Sequence, residues 1–291
     1  MLYLDSFTFP TGERETVFLS KNPKTERLCY DSFYPFSVLS LHRLTRLDFE
    51  PVTILYGGNG SGKSTALNVI AEKTKVRRES VFNNTTFFPD YLAMCEIPLT
   101  AGIPRHSRII ASDDVFDYML NIRSLNDGAD QNRETLFKEY RKLKFSPEYY
   151  GFQLKSLDDY DEFKRVNEVK RKTQSRLVRD ETPGNVREFS NGENAYRYFI
   201  EKITEGGLYI LDEPENSLSP KRQIELAGFL EDSVRFYECQ FIISTHSPFF
   251  LAIKGAKIYD LDEDPVDVKP WTELENVRVY YDFFRKHNNE F

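Results

Sequence analysis

Apolar and polar positions along this chain follow two distinct rhythms. Val52-Thr53-Ile54-Leu55-Tyr56, Leu208-Tyr209-Ile210-Leu211 and Gln240-Phe241-Ile242-Ile243-Ser244-Thr245 are short runs rich in β-branched and aromatic residues. Runs of this kind, without alternation, predict strands covered on both faces. Arg108-Ile109-Ile110-Ala111-Ser112 is a further candidate strand. Residues 64–73, 194–200 and 220–236 suit helices, the last packing on the sheet through Ile224, Ala227 and Leu230. Residues 1–50, with Pro10, Gly12, Pro23 and Pro35, suit antiparallel strands, and 74–107 read as irregular. Residues 114–146 and 153–180 read as mainly helical, divided by Ser146-Pro147 and Gly151. The expected fold class is α/β, with a mostly parallel core sheet, an N-terminal antiparallel β lobe and a helical insertion. One domain over 1–291 accounts for the pattern, with the insertion lobe at 114–186.

Two motifs fall at the ends of these strands. Gly57-Gly58-Asn59-Gly60-Ser61-Gly62-Lys63-Ser64-Thr65 links the first strand to its helix. Gly-x-x-x-x-Gly-Lys-Ser in that context is a phosphate loop. Glycines let backbone N–H groups close around a phosphate, and the helix N-terminus favours an anion. Lys63 is placed to reach the β- and γ-phosphates, and the Ser64 hydroxyl to ligate Mg²⁺. The second strand ends on Asp212-Glu213-Pro214. Alone this suits a solvated turn. After an apolar strand and a phosphate loop, Asp212 becomes the candidate magnesium ligand and Glu213 the candidate general base.

Two weaker signals accompany them. Ser190-Asn191-Gly192-Glu193 opens the helical stretch at 194–200. Ser190 and Glu193 form a capping box, while hydroxyl, glycine N–H and helix dipole also favour an anion. His246 follows the third strand, at the sheet edge where ligands of open α/β sheets bind. In Asn216-Ser217-Leu218-Ser219-Pro220, Ser219 suits an N-cap and Pro220 the first helical position.

Phosphate loop, serine–glycine signature, acidic strand end and late histidine, in that order from Val52 to Leu261, resemble an ABC-type ATPase. The wording is closer to the SMC, RecF and OLD-like branch than to transporter subunits. The signature ends in Glu193 where transporters usually have Gln, and the following loop reads Asn-Ser-Leu-Ser-Pro, not Ser-Ala-Leu-Asp. The overall similarity is to small, stand-alone bacterial AAA/ABC-type ATPases, and the tail Ile258-Tyr259-Asp260-Leu261-Asp262-Glu263-Asp264 and then Glu275-Asn276-Val277-Arg278 looks like that group as well.

The resemblance implies a phosphate-loop NTPase fold, ATP, Mg²⁺ and a homodimer with ATP sandwiched between subunits. Lys63, Ser64, Asp212, Glu213 and His246 of one subunit would join Ser190, Gly192 and Glu193 of the other. His246 would contact the γ-phosphate or the attacking water, and 216–220 would cross the interface. Closure on ATP and opening on hydrolysis would make a switch, controlling a separate protein effector such as one in bacterial defence. A DNA-acting repair ATPase is the alternative, and a transport-coupling subunit a third reading. The chain departs from the family pattern in lacking a glutamine loop. Asp113 or Asp114 replaces it, or Ser112 or Asp113 caps the next helix. Tyr30, Phe33, Tyr34 and Phe36 are all candidates for the adenine-stacking aromatic.

Composition narrows this further. Net charge is −7, against broad attraction to nucleic acid. Arg133 to Arg179 carries 13 Lys/Arg against 8 Asp/Glu, a local +5 that leaves −12 elsewhere. That basic lobe is a solvated face or a docking surface for nucleic acid or an acidic partner. Cys29, Cys95 and Cys239 show no metal spacing and fit a reducing, cytoplasmic setting. The start Met1-Leu2-Tyr3-Leu4-Asp5 does not read as a secretory leader, and no apolar run suits membrane insertion.

Overall fold

The computed structural model describes residues 2–22, 32–98, 102–146, 160–182 and 191–290. Near the N-terminus, β1 (Ser6–Thr8) and β2 (Arg46–Asp48) pair antiparallel. The main sheet holds β3 (Val52–Tyr56), β4 (Arg108–Ala111), β5 (Leu208–Asp212), β6 (Gln240–Ser244), β7 (Lys257–Asp260) and β8 (Asp267–Val268). Their order is β4-β5-β6-β3-β7-β8, parallel throughout except for β8. Every residue of β3 and β6 is buried, which explains why both runs lack polar alternation.

Helices α1 (Gly12–Lys21), α2 (Lys63–Thr74), α3 (Phe88–Met94), α7 (Asn191–Lys202), α8 (Pro220–Tyr237), α9 (Pro248–Leu251) and α10 (Glu275–Lys286) belong with this sheet. The N-terminal β lobe amounts to the β1–β2 pair, because α1 takes residues expected to be strand. Thr11 caps it by accepting from the Arg14 N–H, and Glu13 and Glu15 sit in the first turn, where the helix dipole favours acids. Helix α8 packs through Leu226, Ala227 and Leu230, whereas Ile224 is 56% exposed. Six residues at about 100° each turn Ile224 roughly 120° away from Leu230, so these two never shared a face. Residues 74–107 are less irregular than their prolines suggest. Pro89 lies in the first turn of α3, where its missing N–H costs nothing.

Two compact units result. One comprises 1–116 with 191–291, and the other 117–190. Helix α4 (Ser112–Phe145) begins in the first unit, and α5 (Tyr160–Arg171) and α6 (Gln174–Glu181) lie in the second. Within the second unit Tyr140, Leu143, Val166, Val169 and Leu177 form a small core. Arg165 bonds both Glu139 and Glu181, and Lys172 pairs with Glu168 and Asp180. Part of the basic charge of this segment is thereby neutralised within it. Among the described residues, no helix is long and apolar enough to cross a membrane.

Candidate functional site

Parallel pairing brings the carboxyl ends of β3, β5 and β6 together: Ser244 stands opposite Leu55 on one side and Asp212 on the other. The glycine loop leaves β3 at Gly57 and enters α2 at Lys63. Gly62 holds a φ of 89°, and Leu39 Cδ2 lies 2.9 Å from where its Cβ would stand. Conformation and crowding both require glycine there. The Lys63 side chain is 4% exposed, and its Nζ donates to Gly57 O at 2.8 Å and Gly58 O at 3.1 Å. Burial lowers its pKa, opposed by the carboxylates of Glu213 and Asp212.

Asp212 faces this loop. Its Oδ1 accepts from Ser64 Oγ at 3.1 Å and from Ser244 Oγ at 2.5 Å. Burial raises its pKa, and those two hydroxyls work against the shift. Ser64 and Asp212 thus pair a hydroxyl with a carboxylate, the hard oxygen donors that suit Mg²⁺. Among the described residues no cluster of three or more His, Cys, Asp or Glu could hold a metal ion.

Glu213 has a φ of 49°, a costly conformation for a side chain of its size. Its N–H is held by Ser244 O at 3.1 Å and Ser244 Oγ at 3.0 Å. The chain therefore turns just past the strand, and Glu213 Oε1 comes 3.9 Å from Lys63 Nζ and 3.7 Å from His246 Nε2. Asn216 Nδ2 donates to its other oxygen at 2.9 Å.

His246 completes the cluster. Burial lowers its pKa and Lys63 pushes the same way, with Glu213 and Asp262 opposing. Its Nε2 is buried without a hydrogen-bond partner in a neighbourhood of polar groups, as a ligand-facing atom would be. Three residues that sequence reasoning missed fix its backbone. The His246 N–H donates to Glu215 Oε1 at 2.6 Å, Asn276 Nδ2 donates to His246 O at 3.1 Å, and Tyr56 Oη accepts from the Asn276 N–H. Glu215 carried a faint signal, as the acid after Asp-Glu-Pro. Asn276 carried one only as part of the family-like tail stretch Glu275-Asn276-Val277-Arg278, with no role attached.

A cavity of about 310 Å³ opens over the loop, lined by Tyr34, Asn59, Gly60, Lys63, Ser64, Thr65 and Glu213 among others. Ser61 is buried beneath the loop and its Oγ has no partner. Of the four aromatic candidates, Tyr34 lines this cavity and its hydroxyl reaches Thr65 Oγ1 at 3.2 Å. Phe33 packs on Phe87, Phe36 is buried between Phe18 and Tyr91, and Tyr30 lies outside the described residues. A larger cleft of about 760 Å³ runs along α1 and is lined by none of Lys63, Ser64, Asp212, Glu213 and His246.

Ser190 also lies outside the described residues. Gly192 and Glu193 do not line the loop cavity. A Cβ on Gly192 would stand 3.7 Å from Ser217 O and Ser219 N, and Glu193 lies 3.8 Å from Arg222. Asp114 accepts from the Ala111 N–H at 2.7 Å, which ties down the start of α4, and its Oδ1 is buried without a partner.

The family model described as "ABC transporter" matches residues 46–216, more than half of the chain. The chain belongs to this family, the ABC-type ATPases. A second model, described as "AAA domain, putative AbiEii toxin, Type IV TA system", matches residues 198–252 of this ATPase. A search of the curated proteins found no match. Among solved structures, the Smc head domain of Pyrococcus furiosus with the C-terminal domain of ScpA is similar at 14% identity, covering 82% of this chain and 95% of that one, with a TM-score of 0.39. Stu0660 of Streptococcus thermophilus is similar at 15% identity over 83% and 76%, also at 0.39. A nucleotide-free ATP-binding cassette from an ABC transporter is similar at 16% identity over 81% and 87%, at 0.38.

Proposed function

We propose that this ABC-type ATPase binds and hydrolyses ATP in a site closed by a second copy of itself, and that closure signals to a separate protein effector. The observation that carries the reading is the convergence of Lys63, Ser64, Asp212, Glu213 and His246 at one sheet edge. Loop N–H groups and Lys63 hold the β- and γ-phosphates. Ser64 and Asp212 would hold Mg²⁺, which would supply charge neutralisation on the phosphates. Glu213 orients a water in line with the γ-phosphorus and takes its proton; Asn216 and the strained turn fix its carboxylate. His246, with Nε2 unpartnered, donates to the γ-phosphate or bonds that water. Tyr34 covers the base.

Gly192 and Glu193 stand beside the 216–220 loop, away from the loop cavity. That placement supports a role in trans, with Ser190, across a dimer. The exposed aromatic residues Tyr280, Tyr281 and Phe284 of α10 border a groove of about 690 Å³ that also reaches His246, and they support an effector docking there. The toxin–antitoxin wording of the second family model supports a defence role. A nucleic-acid partner at 133–179 has less support, because Arg165 and Lys172 are paired internally. The test is Mg-ATP hydrolysis by the purified chain and by Lys63→Ala. Hydrolysis that disappears in the variant supports the site, and equal rates would sink it.

A further inference from the structure

The turn after β7 touches the phosphate loop. Asp262 places both carboxylate oxygens on the Gly58 N–H, at 2.8 and 2.7 Å. The carbonyl of the same peptide unit, Gly57 O, accepts from Lys63 Nζ at 2.8 Å. One amide is therefore held between an ammonium and a carboxylate, and each bond polarises the other. The approach is close: a Cβ on Gly57 would lie 3.2 Å from Asp262 Oδ1.

Asp262 is itself rigidly mounted. Its N–H donates to Asp260 Oδ1 at 3.1 Å, and Lys269 bridges Asp260 and Glu263. Arg43 holds Asp264 at 3.2 Å, and the Leu261 N–H donates to Tyr56 O at 2.8 Å, directly before the glycine loop.

We propose that Asp262 is a positioning residue of the ATP site: from the β7–β8 turn it clamps the Gly57–Gly58 peptide and preforms the phosphate loop. The proposal rests on the ATP-binding reading above. When Lys63 turns from Gly57 O to the phosphates, the Asp262 bond is the clamp that stays on this peptide. Binding then costs less loop ordering, so the effect belongs in affinity and not in the chemical step.

The experiment measures Kd for Mg-ATP, kcat at saturating ATP and melting temperature for the full chain, Asp262→Ala and Asp262→Asn. Asp262→Ala is expected to raise Kd about tenfold, the loss of one charge-assisted hydrogen bond, with kcat within about twofold. Asn keeps an acceptor for Gly58 and should restore most of the affinity. A Kd unchanged in Asp262→Ala, or a loss as large in Asn as in Ala, overturns the clamp. Asp262→Ser, too short to reach Gly58, replaces the alanine variant if that one does not fold. Amide hydrogen exchange over residues 57–61 without nucleotide is the second readout. It should quicken in Asp262→Ala, and equal exchange contradicts the proposal. A wild-type chain that binds no ATP would overturn the ATP reading, whereas the exchange comparison judges the clamp by itself.

Discussion

Replacing Ser244 by Ala probes how the Asp212 carboxylate is held. Ser244 is fully buried; its hydroxyl donates to Asp212 Oδ1 at 2.5 Å and accepts from the Glu213 N–H at 3.0 Å. A hydrogen bond to a charged group contributes about 1.5–3 kcal/mol. Neither partner is left orphaned, since Ser64 still reaches Asp212 at 3.1 Å and Ser244 O still accepts from Glu213 at 3.1 Å. The expected cost is therefore at the low end, about 1.5 kcal/mol. Its pH dependence follows from Asp212, whose pKa burial raises while Ser244 lowers it. A folded-state pKa above the unfolded one gives a contribution fully present below the unfolded pKa and lost as pH rises through the folded pKa. Without Ser244 the folded pKa rises further, so ionising Asp212 costs more. The deficit of Ser244→Ala should be largest near about pH 8 and shrink toward about pH 5. Urea unfolding at both pH values measures it, and ATPase titration with Mg²⁺ should need more metal for half-maximal rate in the variant. A deficit equal at both pH values, or none near pH 8, would refute the reasoning.

Two more perturbations follow from the same geometry. Glu15 is 2% exposed and accepts from the Ser37 N–H and Ser40 Oγ, yet burial raises its pKa. A folded pKa above the unfolded one means that stability is lost as pH rises through the raised pKa. Glu15→Gln should gain in melting temperature over wild type between about pH 5 and about pH 8, and a pH-independent difference would contradict this. Tyr34→Ala should weaken ATP binding roughly three- to tenfold, and Tyr34→Phe much less, because the ring face does most of the work. Nucleotide titration of both variants checks it, with equal affinities counting against Tyr34 as the base-covering residue.

The parts of the site that sequence made legible are those whose meaning is local. A strand, a glycine loop and a helix announce themselves within one short segment, and so does an apolar strand ending in two acids. The parts that stayed hidden depend on residues far apart in the chain. Asp262 and Gly58 are separated by 204 positions, and the Asn276 side chain supports His246 from 30 positions away. Ser244 read as one more strand residue, and only parallel pairing with β5 puts its hydroxyl on Asp212. Helix α1 was missed because Pro10 and Gly12 suggested turns, although Thr11 and the following acids make a helix start. Ile224 was misplaced by counting apolar residues without their angles. The aromatic question could not be answered from four neighbouring rings of similar character. Packing separates them, since it buries Phe36 and leaves Tyr34 on the cavity.

The central claim is an ATP site completed by a second copy, and the mass of Glu213→Gln in solution tests it most directly. Removing the base should stop hydrolysis while leaving the loop, Lys63 and Asp212 to bind nucleotide. The account predicts a monomer without nucleotide that becomes a dimer when Mg-ATP is added. A variant that stays monomeric while saturated with ATP would contradict the trans role of Ser190, Gly192 and Glu193, and with it the switch.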